Sequence, residues 1–252
     1  MRPCLFCDDK ASTVEDAFPL WLLARFPTPN GVSVEMERGG ESLPTRKARR
    51  HELRVRCVCA DCNSGWMSRL EGRTKPIIER LLSMSSLVLP EHEQVVLAEW
   101  TLKTAMVFEA LRKEPPSFYR QEERAALRKD SAFPPRTGVW LAKCVDIPGI
   151  YGTASDLFES RNQLPTEGRL FVTTMAFGTM ALQVATGRAP VNIAPSTVMN
   201  ISERPGPWAE TAARIWQASD PVSWPLRYGL NGEKGLDEFT ARLRPPQDDT
   251  AV

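Results

Sequence analysis

Two Cys-x-x-Cys pairs, Cys4-Leu5-Phe6-Cys7 and Cys59-Ala60-Asp61-Cys62, constrain this chain more than any other feature. Two intervening residues let one tight turn present both thiolates to a single ion about 2.3 Å away. Two such knuckles complete a tetrahedral four-sulfur site. No coordination position then stays open to a substrate, so a zinc held by Cys4, Cys7, Cys59 and Cys62 would be structural. The competing reading is a set of buried free thiols. Cys57 stands too close to Cys59 to share an ion with it and reads as a strand residue. Cys144 lies in an apolar stretch and reads as core. The zinc would tie the first seven residues to the start of a helix near Asn63. The segment between would be held over that helix, and a module this small should unfold without its metal.

The 252 residues allow one large or two small domains. The composition sets a boundary after residue 89. Residues 1–89 hold five of the six cysteines and a basic run, and residues 90–252 read as a mixed α/β region with a disordered tail from about 245. In the first part, Asn63 and Ser64 are good caps for a helix that Gly72 and Pro76 should break or bend. In the second, apolar residues spaced by three and four predict a long amphipathic helix over His92–Lys113. A short charged helix over Tyr119–Lys129 follows, then a strand over Gly138–Asp146. Arg169–Thr186 should form strand with a bend or hairpin turn at Gly178. Helices are expected around Trp208–Ala218 and Glu233–Leu243. The fold class is therefore α+β, a small metal-pinned module followed by a region with an antiparallel sheet.

No run approaches the roughly 18 apolar residues of a membrane span, and the N-terminal stretch lacks the apolar core of a secretory signal. The expectation is a cytoplasmic protein without a membrane partner, in a compartment where six cysteines do not form a disulfide framework. The net charge of +1 argues for no partner, but its distribution is uneven. Thr45–Arg56 carries Arg46, Lys47, Arg49, Arg50, Arg54 and Arg56 against the single acid Glu52. Such a run can neutralise phosphates. It can equally be a solvated strand edge whose charge blocks aggregation.

The order of motifs is a knuckle, then Glu15-Asp16-Ala17-Phe18-Pro19-Leu20-Trp21, then Cys59-Ala60-Asp61-Cys62-Asn63-Ser64-Gly65-Trp66-Met67. It resembles the zinc-containing HNH endonucleases of the ββα-metal class. It is closest to bacterial and phage HNH-like proteins with a Glu-His-x-x-Pro-x-Trp element followed by Cys-x-x-Cys-Asn-x-x-Trp-Met. The resemblance covers roughly residues 1–85, with Trp100, Lys103 and Trp224-Pro225 similar to the rear half of such proteins. It implies a treble-clef-like module and one-metal hydrolysis of phosphodiesters in nucleic acid, DNA foremost. Glu15 and Asn63 would hold Mg²⁺ or Mn²⁺, and the residue at position 16 would activate water. The family has histidine there, and this chain has Asp16. An ordinary aspartate, near pKa 3.9, is a far weaker base than a histidine near 6.5. Asp16 could also serve as a second metal ligand, or His51 could act from another direction.

Bland roles compete at each position. Ser12-x-x-Glu15 matches a capping box, although Pro19 favours a strand up to Ala17 and a helix from Pro19 onward. Asn63 can cap the helix or hold a metal. Trp21, Trp66 and Met67 read as core rather than base-stacking surface. The sequence therefore predicts either a metal-dependent endonuclease or a degenerate copy that binds nucleic acid. The alternative is an inactive zinc module for nucleic-acid or protein binding, with a protein partner docked through the second region.

Overall fold

In the computed structural model the described residues are 2–26, 32–38, 41–48, 53–112, 118–147, 149–159, 168–188, 210–217 and 220–243. The first knuckle is a short loop closed by a bridge between Pro3 and Lys10. Strand β1 (Thr13–Asp16) follows and pairs antiparallel with β4 (Arg54–Val58). Glu15 is therefore on a strand and not in a helical capping box. Between β1 and β4 lie helix α1 (Leu20–Arg25), with Pro19 as its N-cap residue, and the hairpin β2 (Val32–Arg38) and β3 (Glu41–Ala48). β4 runs into the second knuckle, which opens a wide π-type helical segment, Asp61–Met67, continuing as α2 (Ser68–Leu82).

α2 does not break at Gly72 or Pro76. Its buried residues Leu70, Thr74, Ile77, Ile78 and Leu81 recur at helical spacing and hold one face against the core. Gly72 and Pro76 both face solvent. The carbonyl of Gly72, which Pro76 cannot bond, is therefore open to water, and the lost hydrogen bond is tolerated.

Strand β5 (Leu87–Leu89) pairs with β11 (Val222–Trp224) and leads into α3 (Glu91–Ala110). The expectation of an amphipathic helix here is corrected. From Leu97 to Leu111 every residue is buried, so no face is left for solvent. The polar residues that sequence spacing assigns to a wet face are instead satisfied internally. Thr101 bonds the Leu97 carbonyl, Glu99 meets Trp66 and Arg73, Lys103 meets Glu15, and Glu109 meets Arg124. α4 (Gln121–Asp130) packs beside it and matches the short charged helix expected.

The large sheet runs β10-β6-β9-β8-β7-β2-β3, with β6 (Thr137–Val145), β7 (Ile150–Glu159), β8 (Gly168–Phe177), β9 (Met180–Arg188) and β10 (Ala212–Arg214). Gly178 adopts φ +58° at the β8–β9 turn, as its composition suggested. The antiparallel expectation holds for β10, β6, β9, β8 and β7, but β2 joins β7 in parallel and β12 (Leu230–Asn231) joins β6 in parallel. The sheet is mixed. Alternation along β8 explains both of its faces. Phe171, Met175 and Phe177 pack in the core that holds α3. Leu170, Val172 and Ala176 pack in a second core with Leu236 and Phe239 of α5 (Gly232–Ala241).

The helix expected around Trp208–Ala218 is also corrected. Its described part carries β10, because the free edge of β6 supplies pairing from Trp140 to Ala142. Arg214 lies over Trp140, and Trp216 stacks on Phe133 at 3.6 Å. The tail from about 245 lies outside the described residues. The boundary at 89/90 falls just before α3, and both the β2–β7 pairing and one continuous core from Cys4 to Trp224 cross it.

Candidate metal centre and the acidic strand beside it

The two knuckles meet. One ligand atom from each of Cys4, Cys7, Cys59 and Cys62 lies within 4.8 Å of the others, and the Sγ atoms of Cys7–Cys59 and Cys7–Cys62 are 3.6 Å apart. A tetrahedral ion bonded at about 2.3 Å would set sulfur–sulfur edges of about 3.8 Å, so the donor set fits such an ion. The surroundings are prepared for thiolate. The backbone N–H of Cys59 donates to Cys4 Sγ and that of Cys62 to Cys59 Sγ, each at 3.3 Å. Gln121 on α4 donates through Nε2 to the carbonyls of Cys4 and Cys7 at 3.2 and 3.0 Å. The Leu5 N–H donates to the Cys57 carbonyl at 2.7 Å, fixing the first knuckle to β4.

Burial shifts the thiols of the cluster unequally. It lifts Cys7 to about 12 and Cys62 higher still. At Cys4 burial is outweighed by the backbone donors of Phe6 and Cys59 and by the neighbouring thiols, and its pKa falls. Four sulfurs at this spacing, three of them buried, cannot all ionise unless a cation balances them. Cys57 is buried on β4, and Cys144 is buried on β6. Burial raises each to about 12, with the Glu15 and Cys4 charges adding at Cys57, as expected of inert structural thiols.

β1 runs beside this centre, and the three candidate catalytic residues each meet a different partner. Glu15 turns inward. Its Oε1 lies 3.2 Å from Lys103 Nζ, and the two side chains are 13% and 3% exposed. Asp16 meets Arg54, its register partner on β4, at 3.0 Å. Asn63 does not cap the helix. Its Nδ2 donates instead to Thr13 Oγ1 at 3.1 Å and to the Val14 carbonyl at 3.3 Å. Because that carbonyl can only accept, the amide nitrogen must face it. Asn63 thus ties the helix start to β1. Met67 is core, and Trp21 and Trp66 are partly buried against it.

The basic run divides. Arg54 is paired with Asp16, and Arg56 Nη1 donates to the Ser12 carbonyl at 2.5 Å, so these two brace β1 against β4. Arg46 and Lys47 are on β3. Their side chains, together with Arg49, Arg50 and His51, lie outside the described residues.

Sequence reasoning missed Glu71 and Gln121 and gave Lys103 no role. Glu71 on α2 is pushed above the ordinary carboxyl range by burial, with Glu15 adding to the rise. Lys103, the Trp21 side chain and Lys75 oppose it. The signal for Lys103 was present, since a lone lysine in the run TLKTAMVFEA must find a carboxylate if the helix is buried.

No protein-family model matches this chain, and no curated protein or solved structure is significantly similar to it. No helix among the described residues is long and apolar enough to cross a membrane.

Proposed function

We propose that the chain is an HNH-like nucleic-acid-binding protein built around a structural zinc, in which the acidic strand no longer performs one-metal phosphodiester hydrolysis. The observation that carries this reading is the Glu15–Lys103 pair. Lys103 supplies, from inside the protein, the positive charge that a divalent cation would bring to Glu15. A hydrated Mg²⁺ at Glu15 would have to displace an ammonium that has almost no access to solvent. Leaving that ammonium uncompensated costs several kcal/mol. One further feature points the same way. Asp16 is neutralised by Arg54. Zinc suits the all-sulfur, closed donor set, and the rest of the basic run, Arg46, Lys47, Arg49 and Arg50, supports nucleic acid, DNA foremost, as the partner.

The test is nicking of supercoiled plasmid by zinc-loaded protein with Mg²⁺ or Mn²⁺, run beside DNA binding at several salt concentrations. Wild type should bind with strong salt dependence and leave the plasmid intact. Asp16→His combined with Lys103→Met should restore measurable nicking if the scaffold is otherwise competent. Nicking by wild type that disappears in Asn63→Ala would overturn the non-hydrolytic reading.

A further inference from the structure

A cleft of about 660 Å³ opens beside the zinc knuckles, between the first knuckle, the helix that follows the second, and the last turn of α4. Its lining combines Trp66, the cations Arg69, Arg128 and Lys129, and the acids Asp8 and Asp61. Three observations separate this cleft from an ordinary charged surface. First, the indole of Trp66 is fixed from behind. Its Nε1 donates to Glu99 Oε1 at 3.3 Å, Glu99 is itself 2% exposed and held by Arg73, and Phe6 meets the ring edge-on at 4.9 Å. A partly exposed tryptophan whose polar edge is anchored inside the protein is a rigid stacking platform. Second, the arginines nearby on the same helices are paired: Arg73 with Glu99, Arg80 with Glu93 and Arg124 with Glu109. Arg69, Arg128 and Lys129 have no ion-pair partner among the described residues, although Asp8 and Asp61 lie in the same lining. Third, two of the six expected phosphate contacts in the basic run, Arg54 and Arg56, are consumed within the fold.

We infer that this cleft binds single-stranded nucleic acid, with a base stacked on Trp66 and adjoining phosphates on Arg69, Arg128 and Lys129. The inference rests on the nucleic-acid reading above and moves its centre from the hairpin to the zinc face. The volume suits one or two nucleotides and is far too small for a duplex. Stacking on an aromatic platform beside unpaired cations is how sequence-tolerant single-strand sites are built. The two aspartates give acceptors for exocyclic amines of a base or for ribose hydroxyls.

The test is fluorescence anisotropy with the full-length, zinc-loaded chain. The probes are a labelled oligothymidine and an oligouridine of about fifteen nucleotides, and a DNA duplex of the same length. Three variants are compared: Arg69→Gln/Arg128→Gln/Lys129→Gln, Trp66→Phe, and Arg46→Gln/Lys47→Gln/Arg49→Gln/Arg50→Gln. Zinc content and thermal unfolding confirm that each is folded. The expected result is tighter binding of a single strand than of duplex. The cleft triple should weaken single-strand binding about tenfold or more and reduce the salt slope by about two, three phosphate contacts at about 0.7 each. The oligothymidine and oligouridine arms decide whether the strand is DNA or RNA. A cleft triple that binds like wild type while the hairpin variant loses binding would overturn the cleft and leave the nucleic-acid reading intact. Preference for duplex would overturn it as well. Wild type that binds none of the probes would sink the nucleic-acid reading itself.

Discussion

Lys103 is 3% exposed on the fully buried stretch of α3, and its partner Glu15 and near neighbour Glu71 come from β1 and α2. One ammonium therefore serves two carboxylates, and the consequence falls on Glu71. Burial is the largest influence on it and raises its pKa. Glu15 adds to that, while Lys103, the Trp21 side chain and Lys75 pull the other way without cancelling it. A carboxyl whose folded pKa is raised favours the neutral form in the folded state. Its contribution to stability is present in acid and is lost as pH rises through the folded value. Glu71→Gln should therefore unfold at higher urea than wild type at neutral pH. The difference should shrink as pH falls into the ordinary carboxyl range. Urea midpoints at a series of pH values check this, and a pH-independent difference would refute it. Residue identities at the site were legible in the sequence, but their partners were not. Glu15, Asp16 and Asn63 could be nominated by order along the chain, whereas the ammonium that meets Glu15 arrives from 88 residues away. Nothing local to β1 encodes it.

At the scale of elements, legibility followed how local the determining interaction is. Knuckle spacing is set within four residues, and both knuckles form and meet as expected. The β8–β9 turn at Gly178 is equally local. The character of α3 was not readable, because a polar residue on a helix looks the same whether water or a buried partner satisfies it. β10 was not readable either, since its strand conformation comes from the edge of β6 rather than from its own residues. The knuckle assignment carries a direct test. Cys57 is buried two positions before the second knuckle yet is not among the four clustered sulfurs. Protein purified with zinc should hold about one ion per chain, and Cys57→Ser should keep it. Cys62→Ser should lose the metal, and strong chelation of wild type should remove the knuckle-to-α4 clamp and lower thermal stability. Elemental analysis with thermal unfolding reads both. Retention of full zinc by Cys62→Ser would break the four-cysteine assignment.

At the scale of the whole molecule, the decisive feature is where the β2–β3 hairpin goes. It is inserted between the two strands of the metal module, yet β2 pairs along β7 from Ser33–Tyr151 to Arg38–Asp156. The metal end is joined to the rest a second time through α3, which contacts both α2 and β4 and contributes Lys103 to β1. A third link is Gln121 on the knuckle carbonyls. Composition placed a boundary at 89/90 because cysteines and basic residues cluster before it. Composition cannot reveal that a hairpin leaves one segment to complete the sheet of the next, since long-range strand pairing leaves no local mark. Residues 1–89 expressed alone with zinc would expose the face of α2 that buries Ile77, Ile78 and Leu81, leave the β2 edge unpaired, and strand Glu15 without its lysine. The fragment should bind metal at its knuckles but show no cooperative thermal transition, while the full chain unfolds in one. Heteronuclear NMR of the fragment with a dispersed, folded spectrum would instead show that the metal module folds without the sheet. The buried contacts across 89/90 would then be a docking surface between two independent units.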